Sequence, residues 1–161
     1  MIDASATASV HAAALVIGEA GVLIEGASGS GKSALTLAAI AAGQAQGLFA
    51  ALVSDDRVRL AVAGGRLIAS AHPAIAGQIE RRGLQIEPSP FCSQAVLRLV
   101  VRMVSGAQAA DLPRLPWLEP SLTQNLGVSL PLLPLDTARG RSDQVALLLS
   151  AVKTAALQNE A

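Results

Sequence analysis

The run Gly21-Val22-Leu23-Ile24-Glu25-Gly26-Ala27-Ser28-Gly29-Ser30-Gly31-Lys32-Ser33 decides the reading of this chain. Its first part is apolar up to Glu25 and has the composition of a strand. Gly26 to Ser33 follow the pattern G-x-x-x-x-G-K-S, and Lys32 to about Ala42 is rich in Ala and Leu, which predicts a helix stopping at Gly43. Small residues let the backbone curl so that successive N–H groups point inward at phosphate oxygens. Lys32 then reaches the outer phosphates, and the Ser33 hydroxyl ligates magnesium. Gly26, Ala27, Ser28, Gly29, Ser30, Gly31, Lys32 and Ser33 are therefore expected to bind nucleotide phosphates, with ATP and Mg2+ as cofactors. The alternative is a chance glycine-rich turn, against which stands the register of strand, loop and helix.

Working outward, residues 8–17 read as one strand ending at Gly18, and Glu19-Ala20-Gly21 as the turn into the next. Downstream, Phe49-Ala50-Ala51-Leu52-Val53 reads as a buried strand running into Ser54-Asp55-Asp56. A carboxylate at that strand end suits magnesium, held through water, or a base toward a phosphoryl acceptor; Asp is also common in strand-end turns. Adjacent aspartates on a continuing strand point opposite ways, so Asp55 and Asp56 are expected to differ in role. Val58–Val62 and Arg66–Ala69 flank Ala63-Gly64-Gly65 as a hairpin.

Residues 71–93 read as irregular, with a charged knot at Glu80-Arg81-Arg82-Gly83. Gln94 to Val104 alternates as a long strand. The segment from Pro113 to Pro134 holds five of the eight prolines, which excludes a helix and predicts edge or loop structure. Ser142 is expected to cap a last helix, with Asp143 in its first turn and Val145, Leu148, Leu149 and Val152 at helical spacing. His11 reads as a core or edge histidine or a site residue, and Glu80 as a solvated charge or a ligand. Arg139 and Arg141 read as a phosphate clamp or a polar loop. Cys92 and His72 read as structural, without metal-ligand spacing.

The 161 residues suit one domain, 1–161, and are 52% hydrophobic with only 2% aromatic, so the core is built from Ala, Val, Leu and Ile. Few stacking platforms and a formal net charge of +0 argue against nucleic acid as a partner. A single cysteine and a first segment without Lys or Arg point to a cytoplasmic setting. Apolar stretches cut by Glu19, Glu25 or prolines fall short of the roughly 20 residues of a spanning helix, so no membrane partner is expected.

The motif order is Val-His, the phosphate loop, Leu-Val-Ser-Asp-Asp, a hairpin, and Ile-Glu-Arg-Arg-Gly-Leu-Gln-Ile. It resembles the catalytic C-terminal domain of HPr kinase/phosphorylase, clearly over residues 9–87. The resemblance implies an α/β fold: a P-loop on a mixed, largely antiparallel sheet with flanking helices, similar to phosphoenolpyruvate carboxykinase. It implies a serine kinase acting on the phosphocarrier protein HPr, and phosphorolysis in reverse. Asp55 would be the catalytic base, with Lys32 on the phosphates and His11 beside Asp55. Asp56 and Glu80 would join Ser33 in magnesium binding, and Arg82, Arg139 and Arg141 would contact substrate or phosphate. A homo-oligomer, a hexamer, is implied, in a short form lacking the N-terminal domain. That short form is one departure from longer family members, and two more stand out. Arg81 and Gln85 replace an aliphatic residue and a glycine, and Arg139-Gly140-Arg141 takes the place of an Arg-Pro-Gly-Arg loop. The loop alone would also suit a small-molecule kinase or NTPase, or a nucleotide sensor without catalysis.

Overall fold

In chain order the elements are β1 (Thr7–Val10), β2 (Ala13–Ile17), β3 (Ala20–Glu25), α1 (Lys32–Ala45), β4 (Ala50–Ser54), β5 (Val58–Ala63) and β6 (Arg66–Ala71). They continue as β7 (Gln78–Glu80), β8 (Ile86–Pro88), β9 (Gln94–Val104), α2 (Ala107–Ala110), β10 (Ser121–Asn125), β11 (Val128–Asp136) and α3 (Arg141–Asn159). This computed structural model describes residues 6–80, 86–88, 91–110 and 121–159, with 80, 86–88, 121–124 and 156–159 described in backbone alone.

The main sheet runs β1-β5-β6-β9-β3-β2-β4, with β11 also on β9 and β10 beyond it; β7 and β8 form a separate hairpin. Only the β3–β9 and β9–β11 pairs among the described residues are parallel. The sheet is thus mixed and largely antiparallel, as expected. The long strand β9 changes neighbours along its length. Its start pairs with Ile68–Ser70 of β6 and its end with Leu132–Asp136 of β11, while β3 lines the other edge. Pro131 pairs with β10 and Pro134 with β9, each where β11 has a described neighbour on one side, which is where a strand tolerates a missing N–H.

Helices α1 and α3 cover one face. Leu35 and Ala39 of α1 and Leu148, Leu149 and Val152 of α3 pack there on Leu15, Val22, Ile24, Leu99 and Val101. On the other face the β5–β6 hairpin contributes Val58, Leu60, Leu67 and Ala69 to a second core with Ala14, Leu23, Ala51 and Val53. Both faces of β2 and β3 are buried, which explains their unbroken apolar runs.

Five expectations need correction. The strand read over 8–17 is two, because β1 pairs with β5 and β2 with β4, and both chains bend together between these pairings. Ala20 already belongs to β3, so the turn is Gly18-Glu19. Helix α1 does not stop at Gly43 but runs to Ala45, and Gly47 supplies the left-handed residue beyond it, with φ 77°. Gly43 is a packing position instead: a Cβ there would lie 3.2 Å from that of Ala50. Helix α3 begins at Arg141, with Gln144 N–H donating to Gly140 O at 3.1 Å, so Ser142 lies inside it. The segment 71–93 also contains β7 and β8, which no alternation in the sequence announced. The Gly64-Gly65 hairpin stands as expected, both residues having positive φ (58° and 74°), the conformation that suits a two-residue turn.

Candidate active site

Strand directions bring the site together. β4 and β3 both run antiparallel to β2, and β9 and β11 run parallel to β3. The C-terminal ends of β3, β4, β9 and β11 therefore meet at one edge of the sheet, with the start of β2. Residues 25–33, 55–56, 102–104 and 136–141 emerge there, beside His11.

The loop after β3 needs its glycines for close approach. A Cβ on Gly26 would lie 2.7 Å from Ser30 Oγ and 2.8 Å from Met103 Cβ, and one on Gly31 would lie 2.8 Å from Arg141 Nη2. Gly31, at φ 96°, is the residue before α1, and its carbonyl accepts from Leu35 N–H at 2.9 Å. No side chain caps this helix start. The first N–H groups of a helix have no partner within it, so an uncapped helix start following a glycine-rich loop suits an anion. The Ser30 hydroxyl is buried with no hydrogen-bond partner among the described residues, an unmet polar group inside the cradle.

Lys32 is only 8% exposed and its ammonium donates to Gly26 O at 2.8 Å and Ala27 O at 3.1 Å. The loop thus folds around a buried cation, whose carbonyl partners can be exchanged for phosphate oxygens. One residue on, Ser33 Oγ donates to Asp55 Oδ1 at 2.8 Å across 22 residues of chain. Asp55 is 5% exposed at the end of β4, so a carboxylate faces the loop's magnesium-type serine from inside the protein.

Asp56 turns away from Asp55, though not by strand alternation. The strand does not continue: Asp56 takes a left-handed φ of 68°, and Arg57 N–H turns back to Asp55 O at 2.8 Å. The Asp56 side chain, 72% exposed, meets His11 Nδ1 at 3.3 Å, while its carbonyl accepts from Ala12 N–H at 3.2 Å. The structure thus seats His11 against Asp56, the residue after the one expected, at the bend shared by the β1–β2 and β4–β5 chains.

Arg141 lies against the loop from the other side, Nη1 donating to Gly31 O at 3.3 Å and to Gln144 Oε1 at 2.8 Å. Arg139 is exposed in the preceding turn, its N–H bonded to Asp136 O at 3.1 Å, and no side-chain contact joins it to the loop among the described residues. Glu80 ends β7, its side chain outside the described residues, as is all of Arg82.

Three participants had escaped the sequence reading. Glu25 accepts from Arg102 Nε at 3.1 Å and Nη2 at 3.0 Å, joining the base of the loop to β9; their separation of 77 residues left no signal. Gln144, 1% exposed, did leave one: it sits four residues before Leu148, a polar residue on the apolar stripe of α3.

Among the described residues no three His, Cys, Asp or Glu side chains form a metal cage. That suits magnesium, which usually takes one or two carboxylates and completes its shell with water and substrate phosphate. Ser33 with a neighbouring carboxylate is such a donor set, and the unmet Ser30 hydroxyl and carbonyl-bound Lys32 fit a phosphate chain.

Known proteins share this fold. The family described as HPr Serine kinase C-terminal domain matches residues 3–161. An HPr kinase/phosphorylase of Mycoplasma mycoides subsp. mycoides is 42% identical over 82 residues, which is 51% of this chain and 24% of that protein. The chain thus matches about a quarter of that curated relative's length. The solved structure of the Hpr(Ser) kinase/phosphatase from Coxiella burnetii superposes with a TM-score of 0.76 at 27% identity, covering 96% of this chain and 99% of that one. A phosphate loop on a mixed, largely antiparallel sheet with flanking helices is thus a kinase fold similar to phosphoenolpyruvate carboxykinase, and the chain belongs to the HPr serine kinase C-terminal domain family.

Proposed function

We propose that this protein transfers the γ-phosphoryl group of ATP to a serine hydroxyl of HPr, and that it removes that group again by phosphorolysis, with inorganic phosphate as acceptor. The observation that carries this reading is the Ser33–Asp55 hydrogen bond, 2.8 Å long and largely withdrawn from water, at the mouth of the loop. Gly26 to Ser33 bind the phosphates, with loop N–H groups on the oxygens and Lys32 leaving its two carbonyls to meet the outer phosphates. Magnesium would supply charge neutralisation on the outer phosphates; Ser33 would hold it with the Asp55 carboxylate alongside, Glu80 would assist directly or through water, and Asp56, turned outward to His11, would assist through water. Asp55 takes the proton from the attacking serine oxygen as that oxygen bonds to the γ-phosphorus and the bond from the γ-phosphorus to the β,γ-bridging oxygen breaks, releasing ADP; in phosphorolysis it gives a proton to the leaving serine oxygen as inorganic phosphate takes the phosphoryl group, forming pyrophosphate.

His11 positions Asp56, and through the bend it shares with Asp55 it shapes the floor on which the acceptor serine lands. Arg141 contributes positive charge beside Gly31, and Arg82 and Arg139 complete the contacts to substrate or phosphate. Assembly as a homo-oligomer, in the cytoplasm, follows the same family reading, and no described helix is long and apolar enough to cross a membrane.

The test is phosphotransfer from labelled ATP to purified HPr with magnesium, followed by release of the label with inorganic phosphate. Transfer to a single HPr serine supports the proposal. Transfer to small acceptors but not to HPr, or ATP binding without any transfer, would replace it with a small-molecule kinase or a nucleotide sensor.

A further inference from the structure

Gln144 is a buried carboxamide on the inner face of α3, and a buried amide costs stability unless both ends are hydrogen-bonded. Here both are. Nε2 donates to the carbonyl of Asp136, the last residue of β11, at 2.9 Å, and Oε1 accepts from Arg141 Nη1 at 2.8 Å. The sense of the amide is settled by these partners: a carbonyl admits only a donor, and a guanidinium only an acceptor. The same Nη1 donates on to Gly31 O at 3.3 Å. Arg141 Nη2 makes no hydrogen bond among the described residues and lies 2.8 Å from where a Cβ on Gly31 would stand.

From this geometry we infer that Gln144 is a positioning residue for nucleotide binding: it pins the Arg141 guanidinium to the end of β11, so that Nη2 is aimed at a phosphate oxygen on the Gly31 side of the cradle. The inference rests on the reading of the loop as a nucleotide site. Arg141 is an exposed residue on a flexible stem, and unheld it would lose much of its rotamer freedom on meeting a phosphate. Anchoring it beforehand removes that cost from binding. The anchor is rigid at both ends, since Asp136 closes a paired strand and Gln144 stands in the first turn of a packed helix. Met103, on the strand beside β11, meanwhile supports the loop at Gly26. The loop is thus held at its first glycine by β9 and overlooked at its last by an arginine tied to β11.

The experiment measures the ATP dissociation constant of the full chain with magnesium by titration calorimetry, with thermal melting as the folding control. Lys32→Ala tests the loop, and Arg141→Gln, Gln144→Leu and the double variant test the anchor. Arg141→Gln is expected to weaken ATP about tenfold, the scale of one charge-assisted hydrogen bond. Gln144→Leu is expected to weaken it about fivefold, the scale of ordering one long side chain. The double variant should match Arg141→Gln alone, because Gln144 acts only through that arginine. Should Gln144→Leu fold poorly, Gln144→Met serves instead. It is nearer to glutamine in length and shape, lacks both polar ends of the anchor, and is expected to weaken ATP by about fivefold as well.

A full additional loss from the Gln144 change in the Arg141→Gln background would show a merely structural effect and overturn the inference, as would ATP binding within about twofold of the unaltered chain in Arg141→Gln. If the unaltered chain bound ATP no better than Lys32→Ala, the reading of the loop itself would fall. Normal binding with unresponsive Gln144 variants would fell only the anchor.

Discussion

Replacing Asp55 with asparagine separates what this residue does for the fold from what it does for the chemistry. The side chain is 5% exposed and accepts from Ser33 Oγ at 2.8 Å. Asparagine keeps the shape and an acceptor oxygen for Ser33, so no cavity opens. What is lost is the charge on that hydrogen bond, about 1 kcal/mol being the difference between charged and neutral bonds. Set against this is the relief of no longer burying a carboxylate. The two oppose each other, so stability should change by no more than about 1 kcal/mol, or roughly 2–4 °C in melting temperature for a chain of this size. Catalysis has no such compensation, because an amide cannot take the proton from the acceptor serine. Loss of a general base lowers the rate by about 10²- to 10⁴-fold. At 1.36 kcal/mol per tenfold, that is roughly 3–5 kcal/mol of transition-state stabilisation. The assay is initial-rate transfer of labelled phosphate from ATP to HPr, with ATP affinity measured alongside. An Asp55→Asn variant that melts normally, binds ATP and transfers at more than about a third of the original rate would falsify the assignment of the base.

Further outcomes follow from other parts of the structure. Lys32→Ala removes the buried ammonium and should weaken ATP by about 100-fold or more while leaving the melting temperature within a few degrees, as read by calorimetry and thermal melting. Chelation of magnesium should weaken ATP binding and abolish transfer, and adding the metal back should restore both; transfer that persists in excess chelator would remove Ser33 from the metal-binding role. Gly21→Ala places a Cβ 2.6 Å from the Val96 carbonyl oxygen and 3.2 Å from Ala95 Cβ, forcing β3 away from β9. Because backbone must move, a loss of about 3 kcal/mol or more is expected, read as a melting temperature lower by roughly 10 °C. A melt unchanged by that substitution would contradict the close approach of the two strands.

Much of the site was readable from local chemistry. The phosphate loop announces itself because eight consecutive residues must meet a steric requirement, and Gly64-Gly65 announces its hairpin for the same reason. Asp55 stood out because it ends an apolar run. The break at His11-Ala12 was hidden, since Thr7–Val10 and Ala13–Ile17 have strand-like composition throughout and only their different partners divide them. Gly43 misled for a related reason: a glycine in a helix reads as a stop until the neighbour it makes room for is known.

The sequence by itself determined the strand, the loop and the helix that hold a phosphate, because backbone curvature and helix start depend on residues next to one another. It also determined the apolar runs from which a sheet core could be built. Only the tertiary structure decided which side chains share that loop: that Asp55 turns inward to Ser33, that Asp56 turns outward to His11, and that Gln144 holds Arg141 over Gly31. These contacts join residues 22, 45, 3 and 110 positions apart. Even the shortest depends on α3 being packed so that its fourth residue faces the end of β11. Local propensity has no term for such meetings; they are set by strand order and by which helix face the core buries.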